Sequence, residues 1–123
     1  MSEGHSILIV EDEPLIAMML EDFLDSLGHK VVATCDNVDE ALQHASDGGF
    51  DVAIIDVQLK DGKSAWPVAD KLAEKGTPFV VATGGHVEPP PTQHRDAPVL
   101  SKPYTIDSIE PAIEEAMRAS ASS

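Results

Sequence analysis

A chain of 123 residues has room for one ordinary domain, and a 42% hydrophobic content is enough for one core. Eight basic residues against 22 acidic ones leave a formal net charge of −14, which excludes a nucleic-acid binder that grips phosphates and argues against docking on an anionic membrane. Cys35 is the only cysteine, so an internal disulfide and a Cys-rich zinc site are excluded, and it is expected to pack as a small hydrophobe.

The amino-terminal MSEGHS lacks the basic flank and long apolar core of a secretory signal, and no apolar run approaches the span of a bilayer. The expected compartment is therefore the cytoplasm. Ile7-Leu8-Ile9-Val10 reads as a buried strand. Pro14 then opens a helix in which Ile16, Leu20, Phe23, Leu24 and Leu27 recur at helical spacing, and Gly28 stops it. Residues 30–34 are strand-like. Asp36 or Asn37 can cap a second helix carrying Ala41, Leu42 and Ala45, which ends at Gly48-Gly49. Residues 51–55 form the third strand, with Asp56 at its tip. A helix over 64–75 presents Val68 and Leu72 and stops at Gly76, with Trp66 beside Pro67 read as a packing or partner-contact residue.

Residues 77–82 are the fourth strand. After it comes TGGHVEPPPTQHRDAP, in which three consecutive prolines forbid a normal helix across 89–91. Val99-Leu100-Ser101 is a short fifth strand. Ser108 is expected to cap a closing helix that runs through Arg118, with Pro111 in its first turn and Ile109, Ile113 and Met117 on one face. Strands made of continuous aliphatics are covered on both faces. The expected architecture is an α/β domain, a doubly wound five-stranded parallel sheet over 1–119 with an atypical or missing fourth helix. Residues 120–123 are expected to be a disordered tail, and no output domain is expected to follow.

In such sheets ligands bind beyond the carboxyl ends of the strands, where the strand order reverses. Glu11, Asp12 and Glu13 follow the first strand, Asp56 the third, Thr83 the fourth and Lys102 the fifth. Each has a plain alternative: Asp12 or Glu13 can cap the first helix, Asp56 can be a turn residue, Thr83 a loop hydroxyl and Lys102 a solvated charge. Their convergence on one edge from four segments argues for a site. Crowded carboxylates call for a cation, and an all-oxygen set suits a hard ion such as Mg²⁺, with Mn²⁺ as a substitute. Asp56 can then act as a nucleophile toward a phosphoryl group, whose oxygens Thr83 and Lys102 would hold.

This set resembles the receiver domain of two-component response regulators over essentially the whole chain. The resemblance implies a flavodoxin-like fold in which Asp56 accepts a phosphoryl group from a sensor histidine kinase or a histidine phosphotransfer protein. It implies that Glu11, Asp12, Asp56 and the Gln58 main-chain carbonyl surround Mg²⁺, that Thr83, Gly84 and Lys102 contact the phosphate, and that a cis bond precedes Pro103. SAWPVADKL, PFVVATGG and SKPY resemble more closely a subgroup of free-standing alphaproteobacterial receivers with a Phe-Ala-Thr-Gly-x-Tyr-type motif, although Val81 and Gly85 stand where that subgroup has Phe and Tyr.

Three departures bear on mechanism. Val99 occupies the position of an aromatic that swings inward in many receivers, so it and Tyr104 are assigned to a partner surface instead. The loop VQLKDG lacks the usual Met-Pro, and Gln58 can position or block a water. Residues 84–98 are expected to be mobile and to become ordered on phosphorylation or partner binding. His29 and His44 are read as surface histidines, and His86 and His94 lack a third ligand for a metal. The expected function is a phosphorylatable switch or phosphorelay shuttle that signals through a downstream protein, rather than an enzyme. Two alternatives stay open: a receiver-shaped adaptor that is never phosphorylated, and a haloacid-dehalogenase-like phosphatase, which would need a second Asp where Gln58 stands.

Overall fold

The five apolar runs become five parallel strands. The computed structural model describes residues 4–56, 65–83, 98–101 and 105–122. Its strands are β1 (Ser6–Val10), β2 (Lys30–Cys35), β3 (Val52–Asp56), β4 (Phe79–Thr83) and β5 (Val99–Ser101). They lie in the order β2-β1-β3-β4-β5, so the winding reverses between β1 and β3. The described helices are α1 (Pro14–Ser26), α2 (Val38–Asp47), α3 (Trp66–Glu74) and α4 (Ile106–Ser122). None of them is long and apolar enough to cross a membrane. The residues between β4 and β5, which carry the expectations about a fourth crossover helix and an ordering loop, lie outside the described residues.

Alternation along the strands divides the core into two layers. Ile7, Ile9, Val52 and Ile54 face α1 and α4, where Leu20, Leu24, Ile109 and Ile113 meet them. Leu8, Val10, Ala53 and Ile55 face the other way, onto Val38, Ala41 and Ala45 of α2 and Val68, Ala69 and Leu72 of α3. Trp66 is partly buried against this second layer, as its packing role requires. Because β3 is buried on both faces along its whole length, it can tolerate no polar residue without a purpose, and it ends on one, Asp56.

The turns follow from particular residues. Gly28, at φ 88°, ends α1 with its N–H on Asp25 O, while His29 N reaches Leu24 O, the paired bonds of a left-handed helix stop. At the start of α2 it is Asn37 that caps, its Oδ1 accepting from Glu40 N at 2.8 Å.

Three expectations about the closing helix are corrected. α4 begins at Ile106 rather than after Ser108. Ser108 instead turns back on the flanking residue, donating from Oγ to Thr105 O at 2.8 Å and accepting from Thr105 N at 3.4 Å. Pro111 therefore falls inside the helix, where it brings no N–H for the carbonyl of Asp107 four residues earlier. The helix also runs to Ser122 instead of ending near Arg118. The alternating Ala and Ser beyond Arg118 contain no helix breaker.

Candidate functional site

Parallel pairing aligns Val10 of β1 with Ile55 of β3, so whatever follows each strand emerges side by side. Glu11 and Asp12 follow the first, and Asp56 ends the second. One carboxylate oxygen from each of these three residues lies within 4.8 Å of the others. Glu11 is 2% exposed, Asp56 5%, and Asp12 is half-buried.

Local structure fixes the acidic pair. Glu11 N donates to Cys35 O at 2.9 Å, tying the β1 exit to the end of β2. Its side chain turns back to accept from Glu13 N at 3.2 Å through Oε2. Glu13 is extended, its own side chain makes no cap bond, and Pro14 supplies the first helical position. The positive end of a 13-residue helix begins directly beside the acidic pair.

Three oxygen donors with no sulfur or imidazole among them fit a hard divalent cation, which would offset their mutual repulsion. A cleft of about 250 Å³, lined in part by Glu11, Asp12, Pro14, Thr34 and Glu40, opens onto the acidic pair from the β2 side.

Thr83 ends β4, one residue past Ala82, which pairs with Asp56. Its backbone thus reaches the same edge. Thr83 in turn pairs with Ser101, the residue before Lys102. Gln58, Gly84, Lys102, Pro103 and Tyr104 lie outside the described residues, as do His86 and His94. Val99, on β5, is 53% exposed.

One sequence reading is overturned. His29 is a buried residue rather than a surface one, at 6% exposure. Its Nδ1 accepts from His5 N at 2.9 Å, so Nε2 carries the proton and donates to Glu110 Oε1 at 2.6 Å. The His5 ring stacks on it, with centroids 5.5 Å apart. The partner is 81 residues away, and no local pattern announces it. A second group of ligand-type side chains, Cys35, Glu40 and His44, was also missed. Its only sequence signal is the four-residue spacing of Glu40 and His44.

The model of the response regulator receiver domain matches residues 7–114. The phyllosphere-induced regulator PhyR of Methylorubrum extorquens is 33% identical over 114 residues, covering 90% of this chain and 43% of that protein. The chain spans about half the length of the curated relatives it matches. Among solved structures, SdrG from Sphingomonas melonis Fr1 is 50% identical, with a TM-score of 0.83 over 95% of this chain and 99% of that one. A BeF3-activated conformation of SdrG, from Pseudomonas melonis Fr1, is also 50% identical and gives a TM-score of 0.78 over the same shares.

Proposed function

The chain belongs to the response regulator receiver domain family, and on that footing we propose that Asp56 accepts a phosphoryl group from a phosphohistidine donor. The observation that carries this reading is the placement of Asp56. It is a nearly buried carboxylate at the point where the sheet's winding reverses, within 4.8 Å of two further carboxylates. A turn residue or a structural acid has no need of that company.

In the transfer, an Asp56 oxygen attacks phosphorus as the P–N bond breaks. The bonding pair leaves with the imidazole nitrogen, and the product is a mixed carboxylic-phosphoric anhydride. Glu11, Asp12 and Asp56, with the Gln58 carbonyl, are the residues that would hold Mg²⁺. The ion would supply positive charge for the carboxylates and the phosphoryl oxygens. The Thr83 hydroxyl, the backbone at Gly84 and the Lys102 ammonium take the remaining phosphoryl oxygens. Support also comes from SdrG, a half-identical chain with a BeF3-activated conformation, since beryllofluoride mimics an acyl phosphate.

The donor is a sensor histidine kinase or histidine phosphotransfer protein in the cytoplasm, and the output passes through protein contacts, with no nucleic acid bound by this domain. Leu15 and Met18, 80% and 59% exposed on the first turns of α1, give a donor protein an apolar footing next to the carboxylates. Incubation with Mg²⁺ and a small phosphodonor is expected to give one acid-labile adduct that Asp56→Asn abolishes. Steady turnover of phosphate esters would instead indicate a phosphatase, and no adduct under any donor a silent adaptor.

A further inference from the structure

A second group of ligating side chains shares no member with the carboxylate trio. Cys35 ends β2, while Glu40 and His44 sit one turn apart on α2. The four-residue spacing puts the latter two on one face of the helix. Their ligand atoms, a sulfur, a carboxylate oxygen and a ring nitrogen, lie within 4.8 Å of one another. We propose that Cys35, Glu40 and His44 bind a borderline divalent cation of the zinc class, at a site separate from the all-oxygen one.

The burial of the three residues is graded as a metal site requires. Cys35 is 0% exposed and sits among Val10, Val38 and Ala41, so the floor is dry. His44 is half-buried and Glu40 exposed, so the mouth is open. The thiol is free, and no hydrogen bond to another described residue engages it, although it faces two ligating groups. Asn37, the α2 cap, steadies Glu40 by donating from Nδ2 to Oε2 at 3.3 Å.

The donor set separates the two sites chemically. Sulfur and imidazole favour zinc-like ions over Mg²⁺, which prefers oxygen. Tetrahedral zinc with bonds of about 2.0–2.3 Å holds its ligands roughly 3.6 Å apart. Closing from the present separation asks for rotamer adjustments of Glu40 and His44, the two less buried members. On binding, the Cys35 S–H bond breaks, sulfur bonds the metal and the proton leaves to solvent, with no redox change. Thiolate and carboxylate together balance the two positive charges, and the fourth position is left to water. A bound ion would pin α2 to the end of β2, beside the cleft that Glu40 shares with Glu11 and Asp12.

The test uses the purified chain, stripped of metal and titrated with Co²⁺ alone. Because Cys35 is the only cysteine, a near-ultraviolet thiolate-to-cobalt charge-transfer band reports this site and no other. The expected result is a saturable band that Zn²⁺ bleaches and excess Mg²⁺ does not. Cys35→Ser should abolish it, and His44→Ala and Glu40→Gln should each weaken Co²⁺ binding at least tenfold. Asp56→Asn should leave it in place. His44 and Glu40 are not fully buried, so their variants decide the matter even if Cys35→Ser folds poorly. No band in the wild-type protein, or a band indifferent to His44→Ala and Glu40→Gln, overturns the proposal. So does a band that Asp56→Asn removes.

Discussion

At Asp56 the requirements of folding and of chemistry pull in opposite directions. Two unit charges within 4.8 Å of each other repel by about 3 kcal/mol or more at an effective dielectric of 20, and this site gathers three carboxylates. Without divalent cation, Asp56→Asn should therefore raise stability, by roughly 1–3 kcal/mol in urea titration. With Mg²⁺ at a hundred times its Kd the wild-type protein should gain about 2.7 kcal/mol, and the variant much less. A variant that is no more stable without the ion, or that gains as much from it, would mean that the carboxylates are not a cation site. Cys35 shows the opposite case, a group that burial keeps neutral. Desolvation, then Glu40 and Asp36, push its thiol from 9.0 up to about 12. In metal-free protein the unfolded chain sheds this proton first, so the thiol's contribution is whole below pH 9.0 and is lost as pH climbs toward 12. Stability should fall by roughly 1.4 kcal/mol per pH unit across that window, and Cys35→Ser should lack this component of the slope.

Elements place these residues, and α1 has a double task. Its buried side holds Leu20 and Leu24 against the sheet, while Leu15 and Met18 face solvent beside the carboxylates. A purely structural helix would not need the exposed pair. Changing both to Glu should leave the fold within about 0.5 kcal/mol of wild type, as surface substitutions do. It should also leave phosphorylation by a small donor unchanged. Transfer from a cognate phosphohistidine protein should drop at least tenfold. Equal loss with both donors would place the defect in the site itself, and no loss with either would remove α1 from the docking surface. The elements were also the most legible part of the sequence. Unbroken aliphatics marked β1, β3 and β4, and Gly28 and Gly76 marked helix ends because their bonds back into the last turn are local. The start of α4 was less legible. Thr105 and Ser108 are both capable of flanking a helix, and only the observed bonds between them show that Ser108 serves from within.

At the scale of the whole molecule, the strand order turns separate sequence fragments into one chemical edge. Adjacency of β1 and β3 gathers Glu11, Asp12 and Asp56, and adjacency of β3 and β4 brings the Thr83 backbone beside them. That much of the site could be read in advance, because parallel α/β sheets always present the carboxyl ends of their strands together. Contacts that do not follow from strand order could not. His29 meets Glu110 across 81 residues, and Cys35 meets His44 only because α2 folds back over β2. The measurement that bears most directly on the account is the chemical location of the phosphoryl group. The protein is treated with Mg²⁺ and a small phosphodonor, reduced with borohydride, which converts an aspartyl phosphate to homoserine, and mapped by peptide mass spectrometry. Homoserine at position 56, dependent on both Mg²⁺ and donor, is the predicted result. Homoserine at another carboxylate, a stable phosphohistidine, or no modification at all would contradict it.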